Sequence, residues 1–189
     1  PSLLRAISSK TFNMRNIITI LMVLISPTMV APTSVDLIPI ELPVKKEVVI
    51  IKNMDLFLHD LGHRESGNRY DVVNQFGYMG KYQFGKSTLK TLKIKVTKDA
   101  FLNSPDLQEY AMQQNLLYNK KKLQKYIDKF EGQEINGILI TESGILAAAH
   151  LGGAGSVKKY FRSGKVMEDG NGVKITSYLN KFSGYKLNI

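Results

Sequence analysis

The chain has 189 residues, of which 43% are hydrophobic and 22% charged, and it carries a net charge of +10. This length and composition predict one domain with a hydrophobic core rather than a disordered polymer. No cysteine is present, which excludes disulfides, thiolate metal sites and a cysteine nucleophile. The positive charge favours an anionic partner, and nucleic acid, acidic lipid and anionic cell-wall polymer all meet that condition.

The N-terminal residues have the pattern of an export signal. From Met14 the sequence reads MRNIITILMVLISPTMVAPTS, with Arg15 ahead of an apolar stretch and small residues after it. We expect a signal peptide over residues 1–31 that starts at Met14, because the apolar stretch is too short to span a membrane stably. An uncleaved anchor is the alternative. The pattern predicts an exported protein, periplasmic or extracellular, without a stable membrane span after cleavage, and it disfavours nucleic acid as a partner.

A linker and a single domain are expected after the signal. Residues 32–47 contain three prolines and little periodicity, which predicts an extended linker before a domain over residues 48–189. From position 50, apolar residues recur at helical spacing, and Glu65 continues that stripe. Gly67 and Asn68 then end the helix. Glu65 is therefore expected in the last helical turn on the inward face, where desolvation would favour the protonated form of its carboxyl group.

Further helices follow a loop or short hairpin over residues 69–85. Ser87 is expected to cap a short helix, and Ser104 with Pro105 starts a long helix that runs to about residue 130. The inward residues of the long helix are predicted to be Leu107, Tyr110, Leu117, Leu123 and Ile127.

The C-terminal third predicts two more helical regions. A small, apolar helix opens at Thr141 or Glu142, is broken by glycines at 152, 153 and 155, and resumes until Gly164. A polar turn at 168–172 then precedes a last helix over residues 175–182.

The segment HRESGNRYDVVNQFGYMGKYQFG, residues 63–85, combines one inward acid with glycines and aromatic side chains. Its aromatic rings could stack on sugars, and Gln83 offers an amide to a polar ligand. A carboxyl group in an apolar wall, here Glu65, is a suitable general acid for breaking a glycosidic bond. The alternative is that Glu65 is an ordinary surface residue at a helix end.

Residues 65–84 resemble the signature of the SLT-type lytic transglycosylases, a family of the lysozyme-like superfamily. That signature is Glu-Ser-Gly followed by Val-Ser-xx-Gly-xx-Gly-Leu-Met-Gln-Ile. The matching positions are Glu65, Ser66, Gly67, Val73, Gly77, Gly80 and Gln83. A second block, AHLGGAGSV, is similar to Ala-Tyr-Asn-Ala-Gly-Pro-Gly-xx-Val, with His150 and Leu151 in place of Tyr and Asn. Tyr178 is the candidate for the tyrosine of the helix that follows in the family.

This resemblance implies a fold and a reaction. The fold would be mainly α (α+β), a lysozyme-like single domain of several helices with a short loop or hairpin region beside the active-site cleft. Glu65 would cleave the β-1,4 bond between MurNAc and GlcNAc in peptidoglycan, first as acid and then as base on the C6 hydroxyl. The product would carry a 1,6-anhydroMurNAc end. The residues implied to bind substrate are Ser66, Tyr82, Gln83, His150 and Tyr178.

The expected partner is the glycan strand of peptidoglycan, bound by a monomer, with no cofactor and no metal. His59 and His63 have a spacing that suits zinc, but no HExxH motif accompanies them. Two alternatives remain: a goose-type lysozyme hydrolase that uses Glu65 with a water, and a non-catalytic glycan-binding domain. Two-carboxylate hydrolases need an acid pair at a defined separation, for which Asp71 is the nearest partner in sequence.

Overall fold

The structure is a computed structural model that describes residues 51–189, so the expected signal peptide and linker lie outside the described residues. The described part is mainly helical, which confirms the predicted fold class, while the lysozyme-like arrangement stays a prediction. No helix within it has both the length and the hydropathy that a membrane crossing requires. The elements are α1 (Met54–Ser66), α2 (Lys86–Thr91), α3 (Lys98–Leu102), α4 (Pro105–Phe130), β1 (Glu134–Ile135), β2 (Ile138–Leu139), α5 (Glu142–Ser163) and α6 (Ile175–Lys181).

Helix α1 ends where the sequence predicts. Its N-cap is Asn53, whose side chain accepts a hydrogen bond from the Leu56 amide at 2.9 Å. Gly67 adopts the left-handed conformation, with a φ of 69°, and its amide donates to the His63 carbonyl. Glu65 therefore sits in the last turn, as predicted, and it is half-buried.

Helix α4 starts at Ser104 and Pro105 as expected, but its buried face differs from the prediction. Tyr110 and Leu117 were expected inside, and they are 51% and 47% exposed. Leu123 and Ile127 are buried as predicted, but three of the inward positions carry amides, so apolar spacing alone did not define the whole buried face. The buried residues are Gln108, Ala111, Met112, Asn115, Leu116, Asn119, Leu123 and Ile127.

Helix α5 runs through the core, where it contacts both α4 and α6. Its N-cap is Thr141, whose hydroxyl accepts from the Gly144 amide at 3.2 Å. A Cβ at Gly144 would lie 2.4 Å from the Leu179 carbonyl oxygen, so this glycine permits the close approach of α5 to α6. The predicted break is confirmed at Gly153, which has a φ of 74°, and α5 ends at Gly164.

The smaller elements were predicted less well. Helix α2 begins at Lys86 after Gly85, and no side chain caps it, so the expectation that Ser87 is the N-cap is wrong. Helix α3 and the β1–β2 hairpin were not predicted. The hairpin turns at Asn136 and Gly137, both with positive φ, and this residue pair is a known hairpin signal.

Residues 67–85 form an irregular loop with glycine joints, as expected, and α4 holds it in place. Isolated bridges pair Met79 with Val73 and with Phe84. Gly80 has a φ of 73°, and a Cβ there would lie 2.0 Å from Oε1 of Gln108. That same oxygen accepts from the Lys81 amide at 2.8 Å, so the loop backbone lies directly against the buried amide of α4.

Candidate active site

A cleft of about 910 Å³ opens beside the end of α1. The loop 67–85, helices α2, α4, α5 and α6, and the turn 169–173 supply the rest of its wall. Its volume lies within the range of known ligand sites. Among the residues selected from sequence, those that line it are Glu65, Gln83, His150, Leu151 and Tyr178. The predicted acid and the predicted amide therefore share one cleft.

Tyr178 is the hydrogen-bond partner of Glu65. Its hydroxyl donates to Oε1 of Glu65 at 2.6 Å, and the ring is only 3% exposed. Burial, then the charge of Glu65 and this hydrogen bond, raise the pKa of Tyr178 far above its usual value, against a smaller opposite effect of Arg64. The phenol is therefore a permanent donor. Oε2 of Glu65 makes no hydrogen bond within residues 51–189, so it can serve a ligand in the cleft.

Gln83 presents one end of its amide to the cleft. Its backbone is left-handed, with a φ of 51°, and its Nε2 donates to the Gly80 carbonyl at 2.8 Å. This bond fixes the amide orientation. Oε1 has no partner among the described residues, and as an acceptor it suits a sugar hydroxyl or acetamido N–H.

His150 lies in the cleft wall with both ring nitrogens engaged by the protein. Nε2 lies 2.9 Å from the Tyr82 carbonyl oxygen, which can only accept, so Nε2 carries the hydrogen. Nδ1 then accepts from the Asn115 amide at 3.0 Å. His150 therefore lines the cleft, as the resemblance implies, but its N–H is already used, so it cannot replace a tyrosine hydroxyl as a donor to substrate.

Two residues that the resemblance implies for substrate binding do not line the cleft. Tyr82 is completely buried, and its hydroxyl donates to Oε2 of Glu109 at 2.6 Å, so it cannot touch a substrate. The Ser66 hydroxyl donates to the Lys81 carbonyl at 2.9 Å and accepts from the Arg69 amide at 2.9 Å. Ser66 thus joins the end of α1 to the loop, and it affects Glu65 through the backbone rather than through substrate.

Glu109 anchors the loop on the side away from the cleft, a role that was not predicted from the sequence. Its Oε1 accepts from Lys81 and from Tyr70, both at 2.7 Å, and its Oε2 accepts from Tyr82. Burial alone would raise the pKa of Glu109, but the hydrogen bonds from Lys81, Tyr82 and Tyr70 outweigh it and hold that pKa below its usual value. This charged cluster holds Lys81 and Tyr82, the two residues that directly precede Gln83.

Three cleft residues were missed from the sequence. Asn115 and Asn119 lie one turn apart on α4, and the side-chain Nδ2 of Asn119 donates to the side-chain Oδ1 of Asn115 at 3.1 Å. Asp169 is the second acid in the cleft wall. Its Oδ1 accepts from the amides of Asn171 and Val173 at 2.9 and 2.7 Å, which shows that this oxygen closes the turn. Asp71 is exposed and does not line the cleft.

The aromatic side chains of the loop form two groups, one exposed in the cleft and the other buried in the hydrophobic core. Phe76 and Tyr78 line the cleft and are 51% and 45% exposed, so their faces are accessible to a sugar ring. Phe84 is 1% exposed and belongs to the core with Tyr82.

The histidine pair of α1 lies away from the cleft. His59 and His63 are exposed, their rings are 6.4 Å apart, and Nδ1 of His59 lies 3.1 Å from Oδ1 of Asp60. Within residues 51–189, no group of three or more side chains suited to metal binding is present.

Comparisons with known proteins identify no relative of this chain, so its function is inferred from the site. No protein-family model, no curated protein and no solved structure matches this chain. The described residues offer an acid held by a fixed donor, an oriented amide and exposed aromatic faces. These groups suit acid–base chemistry on a carbohydrate.

Proposed function

We propose that the protein cleaves the glycan strands of peptidoglycan as a lytic transglycosylase, with Glu65 as the catalytic acid and base. The observation that carries the proposal is the hydrogen bond from Tyr178 to Glu65 inside a cleft that also holds Gln83. The exposed rings of Phe76 and Tyr78 supply sugar platforms, and the net charge of +10 suits an anionic wall. Export and a monomeric state are parts of the same proposal.

The first step is proton donation. Because Tyr178 occupies Oε1 of Glu65, which lines the cleft, the transferable proton is assigned to Oε2. Oε2 gives this proton to the glycosidic oxygen, the bond from that oxygen to C1 of MurNAc breaks, and the GlcNAc portion leaves with a hydroxyl group. The carboxylate that remains is stabilised by the phenol, which keeps its own proton.

The second step returns the proton. The Glu65 carboxylate takes the hydrogen of the MurNAc C6 hydroxyl while O6 bonds to C1, which closes the 1,6-anhydro ring. Glu65 is again protonated, and no water is consumed. The step therefore needs no second acid, which fits a cleft whose other acid, Asp169, has Oδ1 committed to a turn.

The substitution Glu65→Gln tests the role of the acid. It keeps the shape and an acceptor for Tyr178 but removes the proton donor, so release of fragments from purified peptidoglycan should fall about 10²- to 10⁴-fold. Glu134→Gln, at an exposed residue of the β1 strand, is the matched control and should cut at the wild-type rate. Wild-type release by the Glu65 variant would exclude the mechanism.

A hydrolase is the second candidate function, and Asp169 is the observation that favours it. A second carboxylate in the same cleft could activate a water against the bond that Glu65 protonates. Asp169→Asn preserves an oxygen for the turn amides and removes the base. A hydrolase would lose activity in this variant, whereas the transglycosylase would keep it.

A further inference from the structure

A second concave surface lies on the opposite face of α2 from the cleft. Ser87, Thr88 and Thr91 of this helix line the cleft. Lys86 and Leu89, on the other face, line a groove of about 630 Å³, which continues along residues 93–98. We name this groove the lysine groove. One short helix thus forms a common wall for both.

The lysine groove has an apolar floor and a cationic rim. Met79 and Leu89 are 2% and 4% exposed, and Ile94 and Val96 complete the floor. Among the described residues, no acidic side chain lines the groove. None of the rim lysines makes an ion pair with another residue between 51 and 189. The rim consists of Lys86, Lys90, Lys93, Lys95 and Lys98.

Lys93 occupies a backbone position that normally takes glycine. It follows the end of α2 with a φ of 61°, and the Ile94 amide then bonds to the Leu89 carbonyl at 2.9 Å. Glycine or asparagine is favoured at such a left-handed site, and lysine there is strained. Lys93 thus adds its charge to a rim whose lysines have no ion-pair partner among residues 51–189, and this uncompensated charge suits an anionic ligand.

We propose that the lysine groove binds the acidic peptide arm that the glycan strand carries. This inference rests on the proposed function, because the arm belongs to the same polymer. Carboxylates of the arm would pair with the rim lysines, and its small aliphatic side chains would cover the floor. A flat lipid surface fits less well, because the floor is concave and Met79 and Leu89 do not protrude.

The small width of α2 would allow one strand to use both surfaces. An α-helix with its side chains is about 10–12 Å across, so the lysine groove lies about one helix width from the cleft. An extended peptide of about five residues spans about 17 Å. A peptide attached to a sugar in the cleft therefore reaches over α2 to the rim lysines.

The test compares two substrates, strands with their peptides and strands freed of peptides by an amidase. We expect the wild type to prefer the peptide-bearing strands. Two changes should lower kcat/KM on those strands. The first is Lys93→Gly, which also relieves the left-handed strain. The second is the double change Lys90→Gln with Lys95→Gln, which should lower kcat/KM about three- to tenfold. Both should leave kcat/KM on bare strands unchanged. Lys121→Gln with Lys125→Gln, on the exposed face of α4, is the charge-matched control.

A binding measurement separates this inference from the proposed function. The synthetic peptide N-acetyl-L-Ala-γ-D-Glu-meso-diaminopimelate-D-Ala, which is acidic, is titrated into the Glu65→Gln protein by calorimetry, and the expected binding weakens in 0.5 M salt and in the Lys93 variant. If strands are cut but neither lysine variant changes the preference, the inference is overturned and the function stands. If no strand is cut, the peptide titration alone tests the inference. Equal binding of the peptide by the control variant and the rim variants would then overturn the inference. Binding to anionic phosphatidylglycerol vesicles but not to the peptide also overturns it.

Discussion

Tyr178 in α6 donates a hydrogen bond of 2.6 Å to Oε1 of Glu65 in α1, although 113 positions separate the two residues. A close parallel involves another carboxylate of α1, Asp60, whose Oδ2 accepts from the hydroxyl of Tyr185, a residue beyond the end of α6, also at 2.6 Å. Burial, with the hydrogen bond and charge of Asp60, raises the pKa of Tyr185 to about 12. Only the first of these pairs lines the cleft, so the second is an internal control.

Tyr178→Phe should slow cleavage without unfolding the protein. The ring keeps its packing, whereas the carboxylate formed after proton donation loses its fixed donor, and we expect kcat to fall about 10- to 100-fold. The lost hydrogen bond costs about 1 kcal/mol of unfolding free energy. Initial rates on purified peptidoglycan and thermal melting measure the two effects.

Tyr185→Phe removes the same kind of bond to a carboxylate of α1 and should leave kcat unchanged. The comparison cancels the general effect of losing a phenol that bonds a carboxylate. Equal rate losses in both variants would show that Tyr178 acts only on stability.

Gln83→Gly should separate ligand binding from folding. Glycine removes the amide and its bond to the Gly80 carbonyl, but it also relieves the positive φ of 51° at this position. These effects oppose each other, so we expect a change in unfolding free energy within about 1 kcal/mol. The loss of Oε1 should raise KM for the glycan strand. An unchanged KM would exclude Gln83 from substrate binding.

Glu109→Gln should make the stability of the protein depend less on pH in the acidic range. The folded-state pKa of Glu109 is lowered, so its stabilisation is complete above the unfolded value of about 4.3 and is lost as the pH falls through the folded value. The wild type should therefore lose more Tm than the variant between about pH 5 and pH 3. Glu134→Gln is the control, and its melting curve should follow the wild type. Parallel curves for wild type and the Glu109 variant would contradict the assignment.

Gly80→Ala and Gly77→Ala form a matched pair in the loop. Both glycines have positive φ, 73° and 80°, so both alanines are strained. At Gly77 the added Cβ meets nothing within 4 Å, whereas at Gly80 it would lie 2.0 Å from Oε1 of Gln108. We expect a loss of about 1 kcal/mol at Gly77 and more than about 3 kcal/mol at Gly80, measured by urea unfolding. Equal losses would show that Gln108 moves aside freely.

Local signals predicted the position of the catalytic candidate. Apolar residues at helical spacing, ended by Gly67 and Asn68, place Glu65 in the last turn of an inward face, and the structure agrees. Helix boundaries at Ser104 and Gly164 were accessible for the same reason, since caps are set by residues within one turn.

The sequence does not predict which side chains are buried where its hydrophobic periodicity fails. The loop 67–85 has no repeating pattern, so nothing in the sequence separates the exposed Tyr78 from the buried Tyr82. On α4 the inward face carries amides such as Gln108 and Asn115, which a hydrophobic pattern counts as polar. Partners far apart in sequence, such as Glu109 and Tyr82, depend on tertiary packing and leave no local signal.

The mass of the fragments released from purified peptidoglycan tests the central claim most directly. If Glu65 returns its proton by taking it from the C6 hydroxyl, every new end is a 1,6-anhydro ring, and each fragment is one water lighter than its hydrolytic counterpart. The account predicts these lighter fragments from the wild type and none from Glu65→Gln. Fragments with reducing ends, or fragments released equally by the Glu65 variant, would contradict it.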